Sequence, residues 1–255
     1  MKKYFFVLLS AMLLAFAAQA QVTDLGVRAA AGASWVGDDL LTSSPIISGS
    51  IGGIANIGLL NTNTSYSNNL FFQTGLLLTR RGTNFSQEFR GMQSYREGFY
   101  HSYYLQIPIL VSWRWEMPLQ VASQYLNFYF GPAANIGVFG NRGDRRVSPG
   151  YPMESINYDT YITNKGDKPL FKHIRRFDLS LNMGVSYRHG DFEYGLWFEH
   201  GVIALMYEDD VLNVLEINNY QQNGTSTGDK PKAHNGYTGN NNAVIVGMTY
   251  LIPWR

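Results

Sequence analysis

The stretch Phe99 to Trp115, FYHSYYLQIPILVSWRW, sorts into two sets when every second residue is read. Phe99, His101, Tyr103, Leu105, Ile107, Ile109, Val111, Trp113 and Trp115 are apolar but for His101. Tyr100, Ser102, Tyr104, Gln106, Pro108, Leu110, Ser112 and Arg114 are mostly polar or small. A period of two sustained this long predicts one strand with an apolar and a wet face. Strands in globular domains average about five or six residues. A far longer one, whose apolar face ends in two tryptophans, suits a bilayer crossing with that face toward lipid.

The N-terminus supplies an export route. Lys2 and Lys3 precede an apolar run from Tyr4 to Ala17, and Ala18-Gln19-Ala20 fits a small-x-small cleavage site. Residues 1–20 are expected to be a cleaved signal peptide and 21–255 one β-barrel domain. The apolar run is shorter than the about 20 residues a membrane-spanning helix needs, and no later segment reaches that length. The chain contains no cysteine, so neither a lipid-modified cysteine nor a disulfide is expected. Charge is nearly balanced, 20 Lys+Arg against 19 Asp+Glu, which argues against a nucleic-acid partner.

Seven further stretches read as strands, near 24–35, 46–60, 70–81, 125–140, 176–188, 192–204 and 243–254; alternation is less clean in 46–60, and 70–81 carries apolar residues in both sets. Their connections alternate in character. Asn61–Asn69, Glu116–Gln124 and His189–Asp191 are short. Gly82–Gly98, Asn141–Arg175 and Met206–Asn242 are long and polar, while the first connection, near Gly37–Pro45, is brief. Together they predict an all-β, eight-stranded antiparallel transmembrane β-barrel with short periplasmic turns and longer extracellular loops, in the cell outer membrane. On this topology Trp113, Trp115, Tyr187, Phe192, Tyr194, Tyr250 and Trp254 fall at the periplasmic end facing lipid, an interfacial girdle.

The signature strand, with Tyr104-Leu105-Gln106-Ile107-Pro108-Ile109 at its centre, resembles that of the PorT-like outer membrane β-barrel family of Bacteroidetes. LFFQTGLLLTRRG (Leu70 to Gly82), FYFGPAANIGVF (Phe128 to Phe139) and FDLSLNMGVSY (Phe177 to Tyr187) resemble the neighbouring strands of that family. The resemblance implies a fold rather than a reaction. Gln106 stands where the family usually carries Glu, and Gly75 near where it often carries another acid. The family's namesake implies an accessory role in type IX-like secretion as an alternative function.

The wet faces supply a barrel-interior polar network of Arg28, Tyr104, Gln106, Arg114, Asp178, Arg188, Glu193 and Glu199. Unpaired charge inside would be costly, so pairing is expected, with Arg188 and Glu193 facing each other across the tight hairpin. Eight strands leave an interior that side chains can fill, which favours a plug over a conduit. The five histidines have no paired-ligand spacing, and His101-Ser102 and Glu199-His200 point to opposite strand faces. No catalytic residue, metal site or cofactor is expected. The external loops are the expected seat of function, with Arg142, Arg145 and Arg146 forming a basic turn able to meet phosphate or another ligand. Expected partners are outer-membrane lipids and lipopolysaccharide, the barrel-assembly machinery and a surface glycan or protein ligand. The predicted function is non-enzymatic surface interaction or envelope integrity. A small pore is the alternative, and a rim lipid hydrolase or protease a third reading.

Overall fold

The computed structural model describes residues 21–37, 42–58, 69–88, 95–116, 124–147, 154–160, 175–204, 206–207 and 237–253. The expected signal peptide and Trp254 lie outside the described residues. Twelve strands occur among those described: β1 (Gln21–Gly37), β2 (Thr42–Ser44), β3 (Ile46–Gly58), β4 (Leu70–Glu88), β5 (Tyr95–Glu116), β6 (Gln124–Val147), β7 (Glu154–Thr160), β8 (Phe177–His189), β9 (Phe192–Gly201), β10 (Met206–Tyr207), β11 (Tyr237–Thr238) and β12 (Asn240–Pro253).

Eight of these form a closed antiparallel ring in the order β1-β3-β4-β5-β6-β8-β9-β12, with β12 returning to β1. Closure can be followed residue by residue. From Asn135 on β6 the pairing leads to Gln106, Leu77, Gly52 and Arg28. It continues through Thr249, Glu193 and Arg188 and re-enters β6 at Tyr125. The path therefore comes back ten residues from where it left. For eight strands that stagger corresponds to a strand tilt of about 40° and a radius of about 8 Å, given the usual rise and strand spacing.

Alternation sets the two faces. Along β5 the residues Tyr100, Ser102, Tyr104, Gln106 and Leu110 are buried inside, while Ile107, Ile109, Val111, Trp113 and Trp115 are exposed outside. The outer wall carries Val27, Ile51, Leu76, Leu78, Phe130, Met183, Leu196 and Val246 at the same levels. The lower girdle is present in Trp113, Trp115, Tyr187, Phe192, Tyr194 and Tyr250, with Trp113 against Phe128 at 5.6 Å and Phe192 against Tyr250 at 5.3 Å between ring centres. A second girdle, which the sequence reading did not single out, lies at the other end. It consists of Trp35, Tyr103, Phe139 and Phe177, with Tyr103 and Phe139 stacked at 4.3 Å. Tyr103 and Trp113 are ten residues apart on one strand, as are Phe177 and Tyr187. At the inferred tilt that spacing spans about 25 Å, the height of the apolar band of an outer-membrane barrel.

Two expectations about connections are corrected. Gly82–Gly98 is not a polar loop: β4 and β5 stay paired to Glu88 and Tyr95, well past the upper girdle. Arg142, Arg145 and Arg146 are not in a turn. They lie in extended strand, in register with Tyr100, Glu97 and Arg96 of β5, and β7 pairs on their other side. Polar composition was read as loop, yet a strand outside the bilayer has no need of an apolar face. The His189–Phe192 hairpin is tight, and Gly190 takes the left-handed conformation (φ 60°) that glycine adopts without penalty.

The apolar band makes a direct prediction. Ile109→Arg, at mid-height on the outer wall, should cost about 2–4 kcal/mol, whereas His101→Arg near the upper rim should cost about 0–1 kcal/mol. Denaturant unfolding of the two variants in phospholipid vesicles checks the difference; equal costs would contradict the assigned membrane level.

Candidate functional site

The interior is a filled polar core whose charges balance. Among the described residues it holds four arginines, Arg28, Arg81, Arg114 and Arg188, and four carboxylates, Asp24, Asp178, Glu193 and Glu199. They form three tiers because each strand contributes an inward residue every second position.

The upper tier centres on Arg81. β4 brings it inward beside Ser102 of β5, and it is almost wholly enclosed, as are both of its carboxylate partners. One terminal nitrogen lies 3.5 Å from Asp178 Oδ2, and the other donates to Glu199 Oε2 and, at 3.3 Å, to Asn135 Oδ1. Amides complete the acceptors. Gln106 Nε2 donates to Glu199 Oε1 at 3.1 Å, Asn182 Nδ2 to the same oxygen at 3.4 Å, and Asn241 Nδ2 to Asp178 Oδ2 at 3.4 Å. Tyr100 donates its hydroxyl to Asn241 at 2.9 Å, and the Tyr104 ring lies under the Arg81 guanidinium at 5.9 Å. A guanidinium bound by two carboxylates in this way is a directional, charge-assisted contact in a buried site.

The middle tier is built on Arg28. Its Nη2 donates to Gln73 Oε1 at 2.8 Å, which passes the chain to Asn56 at 2.9 Å, and its Nε reaches Thr249 at 3.3 Å. Its guanidinium lies 4.3 Å from the centre of the Trp197 ring, a cation–π contact strengthened by desolvation. The indole lies flat on the wall because Gly184 and Gly195 leave room for it; a Cβ on either would sit 2.4 Å from an indole carbon. Glu193 and Glu199 supply the opposing negative field, and Glu193 is itself held by the Tyr129 hydroxyl at 2.7 Å and Asn127 at 3.2 Å.

The lower tier joins two cations to one acid. Arg188 Nη1 is 3.1 Å and Arg114 Nη2 is 3.7 Å from Asp24 Oδ2. Arg114 is clamped between the Phe71 and Tyr125 rings at 4.0 and 3.9 Å. The expected pairing of Arg188 with Glu193 is corrected here. Their Cα atoms are partners, but Arg188 reaches across the lumen to Asp24, while Glu193 turns to the middle tier. Arg28 belongs to that middle tier as well.

All eight residues read from the wet faces thus line the interior, and the structure brings Gln106, Asp178 and Glu199 together in one tier. Sequence reasoning missed Arg81, the hub of that tier, and did not single out Asp24, Gln73, Asn56, Asn127, Tyr129, Asn135 or Trp197. The available signal was the Arg80-Arg81 pair: in a strand one of two adjacent residues must point inward. Among the described residues no group of three or more His, Asp or Glu is placed to hold a metal ion. The side chains of Arg142, Arg145 and Arg146 lie outside the described residues.

A family model described as the outer membrane protein beta-barrel domain matches residues 21–206. The chain belongs to this family. It is accordingly an outer-membrane β-barrel protein. Among solved structures, two of Ail, the attachment invasion locus protein of Yersinia pestis, are similar. The one in complex with the heparin analogue sucrose octasulfate is 9% identical and the other 11%; each match covers 91% of this chain and 100% of that one, at a TM-score of 0.33. No curated protein matches the chain in sequence.

Arg81→Met should destabilise the barrel by about 3–5 kcal/mol, because Asp178 and Glu199 are left buried and unpaired. The triple variant R81M/D178N/E199Q should recover most of that loss, since the charges go together. Denaturant midpoints in vesicles measure both. A triple variant no more stable than R81M would mean that Arg81 acts through packing rather than charge.

Proposed function

We propose that this barrel is a non-enzymatic surface-interaction protein that presents an extracellular β-structure to a glycan or protein ligand, with no transport through its lumen. One observation carries the proposal: β4, β5 and β6 continue in register beyond the upper girdle, from Arg80 to Glu88, from Tyr103 back to Tyr95, and from Phe139 to Val147. With β2 against β4 and β7 against β6 they form a sheet outside the bilayer. A rigid scaffold that projects recognition residues suits binding. The interior supports the closed lumen of this reading, since among the described residues its charges are tied to one another.

The Tyr104–Ile109 run supports placing the chain in the PorT-like branch of Bacteroidetes. Its first twenty residues are read as a cleaved signal peptide, which would deliver the chain to the barrel-assembly machinery. N-terminal sequencing of the mature protein should begin at Gln21.

Shortening the β4–β5 ribbon, by replacing residues 85–98 with a two-residue turn, should leave the barrel folded, seen as a gel-mobility shift on boiling. It should abolish binding to glycan and protein arrays by nanodisc-embedded barrel. Undiminished binding would remove the ribbon from the function. In planar bilayers the wild-type barrel should stay closed; steady single-channel openings would replace this reading with a transport one.

A further inference from the structure

The lower mouth of the lumen carries more positive charge than its own acid offsets. Among the described inward residues at that end two cations, Arg114 and Arg188, face one carboxylate, Asp24. The balancing acid sits in the upper tier, where Arg81 holds both Asp178 and Glu199. Glu193, the cross-strand partner of Arg188, is taken by Tyr129 and Asn127. Arg114 and Arg188 reach the same oxygen, Asp24 Oδ2, but unequally. Arg188 Nη1 donates to it at 3.1 Å, and Arg188 Nε donates to Gly190 O at 2.8 Å. Arg114 Nη2 stands 3.7 Å away, beyond hydrogen-bond reach, while Arg114 Nε donates to Asn127 Oδ1 at 3.4 Å. Among the described residues neither terminal nitrogen of Arg114 donates a hydrogen bond.

Two rings fix that guanidinium. Its carbon lies 4.0 Å from the centre of the Phe71 ring and 3.9 Å from that of Tyr125, and the Arg188 guanidinium lies 5.1 Å from the same tyrosine ring. Cation–π contact on both faces leaves the nitrogen edge as the side open to a ligand. The edge is enclosed yet reachable, since the side chains of Arg114, Arg188 and Asp24 are 15%, 10% and 9% exposed. At that burial a guanidinium edge without an acceptor is costly, and an anion meeting it gains more than it would on an open surface. We propose that this mouth binds one carboxylate group, carried by a peptide that enters from the short-turn end. The terminal nitrogens of Arg114 offer the planar fork that matches two carboxylate oxygens. The flanking rings favour a planar group lying in the guanidinium plane over a tetrahedral phosphate, whose oxygens project out of that plane. Arg188 adds the second charge, Asp24 is the resident acid whose charge the incoming group works against, and one carboxylate brings the mouth to neutrality. The periplasmic address of the ligand rests on the orientation proposed above; the site itself does not, and it requires nothing of the projecting ribbon.

The test titrates the full-length mature barrel in nanodiscs with N-acetylglycylglycine, its C-terminal amide and inorganic phosphate, at constant ionic strength in sodium chloride. Guanidinium resonances of isotope-labelled protein report binding at Arg114 and Arg188. The free acid should shift them saturably, the amide should not, and phosphate should bind more weakly than the acid. R114K keeps the charge but loses the fork, and should weaken acid binding about tenfold, the loss of one charge-assisted hydrogen bond. D24N removes the resident acid and should tighten binding several-fold. S86A on the projecting ribbon should leave it unchanged. Mobility on unboiled gels shows whether each variant is folded; where R114K is not, D24N decides, and binding no tighter than wild type overturns the site. So does wild type without a saturable shift, equal shifts with acid and amide, phosphate binding tighter than the acid, or undiminished binding in folded R114K. Each of these results leaves ribbon-dependent binding on the arrays standing, so the two readings fail separately.

Discussion

Nothing in the hydrocarbon core of a membrane can accept a hydrogen bond from an exposed backbone amide, and the whole structure answers to that fact. A strand that crosses must be paired on both sides, so the first and last strands must meet. Here β1 and β12 pair over nearly their full length, from Asp24 opposite Pro253 to Gly37 opposite Asn240. Once that seam closes, the tilt, the radius and the division into a lipid face and an enclosed face all follow from eight strands and their stagger.

Closure creates a second problem, which is what to put inside. A lumen of this width is too narrow to be left as bulk water and too polar-walled to be packed with hydrocarbon alone. The chain fills it with three charge tiers and an apolar cluster of Ile54, Leu77 and Leu251. Each arginine is met either by carboxylates or by amides and an aromatic face. Small residues make this possible: Gly184 and Gly195 let the Trp197 indole lie flat, and the indole in turn covers Arg28. The result is an interior that fixes register as well as filling space, because slipping one strand by a single position would turn its charges into the lipid.

Much of this was legible along the chain. Phe99 to Trp115 announced its two faces, and its alternation held from the upper rim to the lower one. The lower girdle was also legible, since Trp113, Trp115, Phe192, Tyr194 and Tyr250 sit beside recognisable turns. Two things were not. Half of the upper girdle was hidden because β5 and β6 do not stop there, so Tyr103 and Phe139 are not at strand ends marked by turn residues, whereas Trp35 and Phe177 lie near the ends of β1 and β8. The projecting ribbon was hidden because strands beyond the bilayer lose the apolar alternation by which they are found, leaving only polar residues that resemble a loop.

Arg80 and Arg81 show where the boundary between sequence and structure falls. The sequence by itself determined that this chain makes long two-faced strands in a number that can close, because a period of two is a local property of each stretch. It could not say which of two adjacent arginines enters the barrel, since β4 carries apolar residues on both faces and a shift of one residue exchanges them. Only the pairing of β4 with β3 and β5 decided it, by placing Arg81 against Ser102 and within reach of Asp178 and Glu199 on strands about a hundred residues away in sequence. The charge balance of the lumen is a tertiary property for the same reason: each ion finds its partner across the barrel, and the chain order alone does not bring them together.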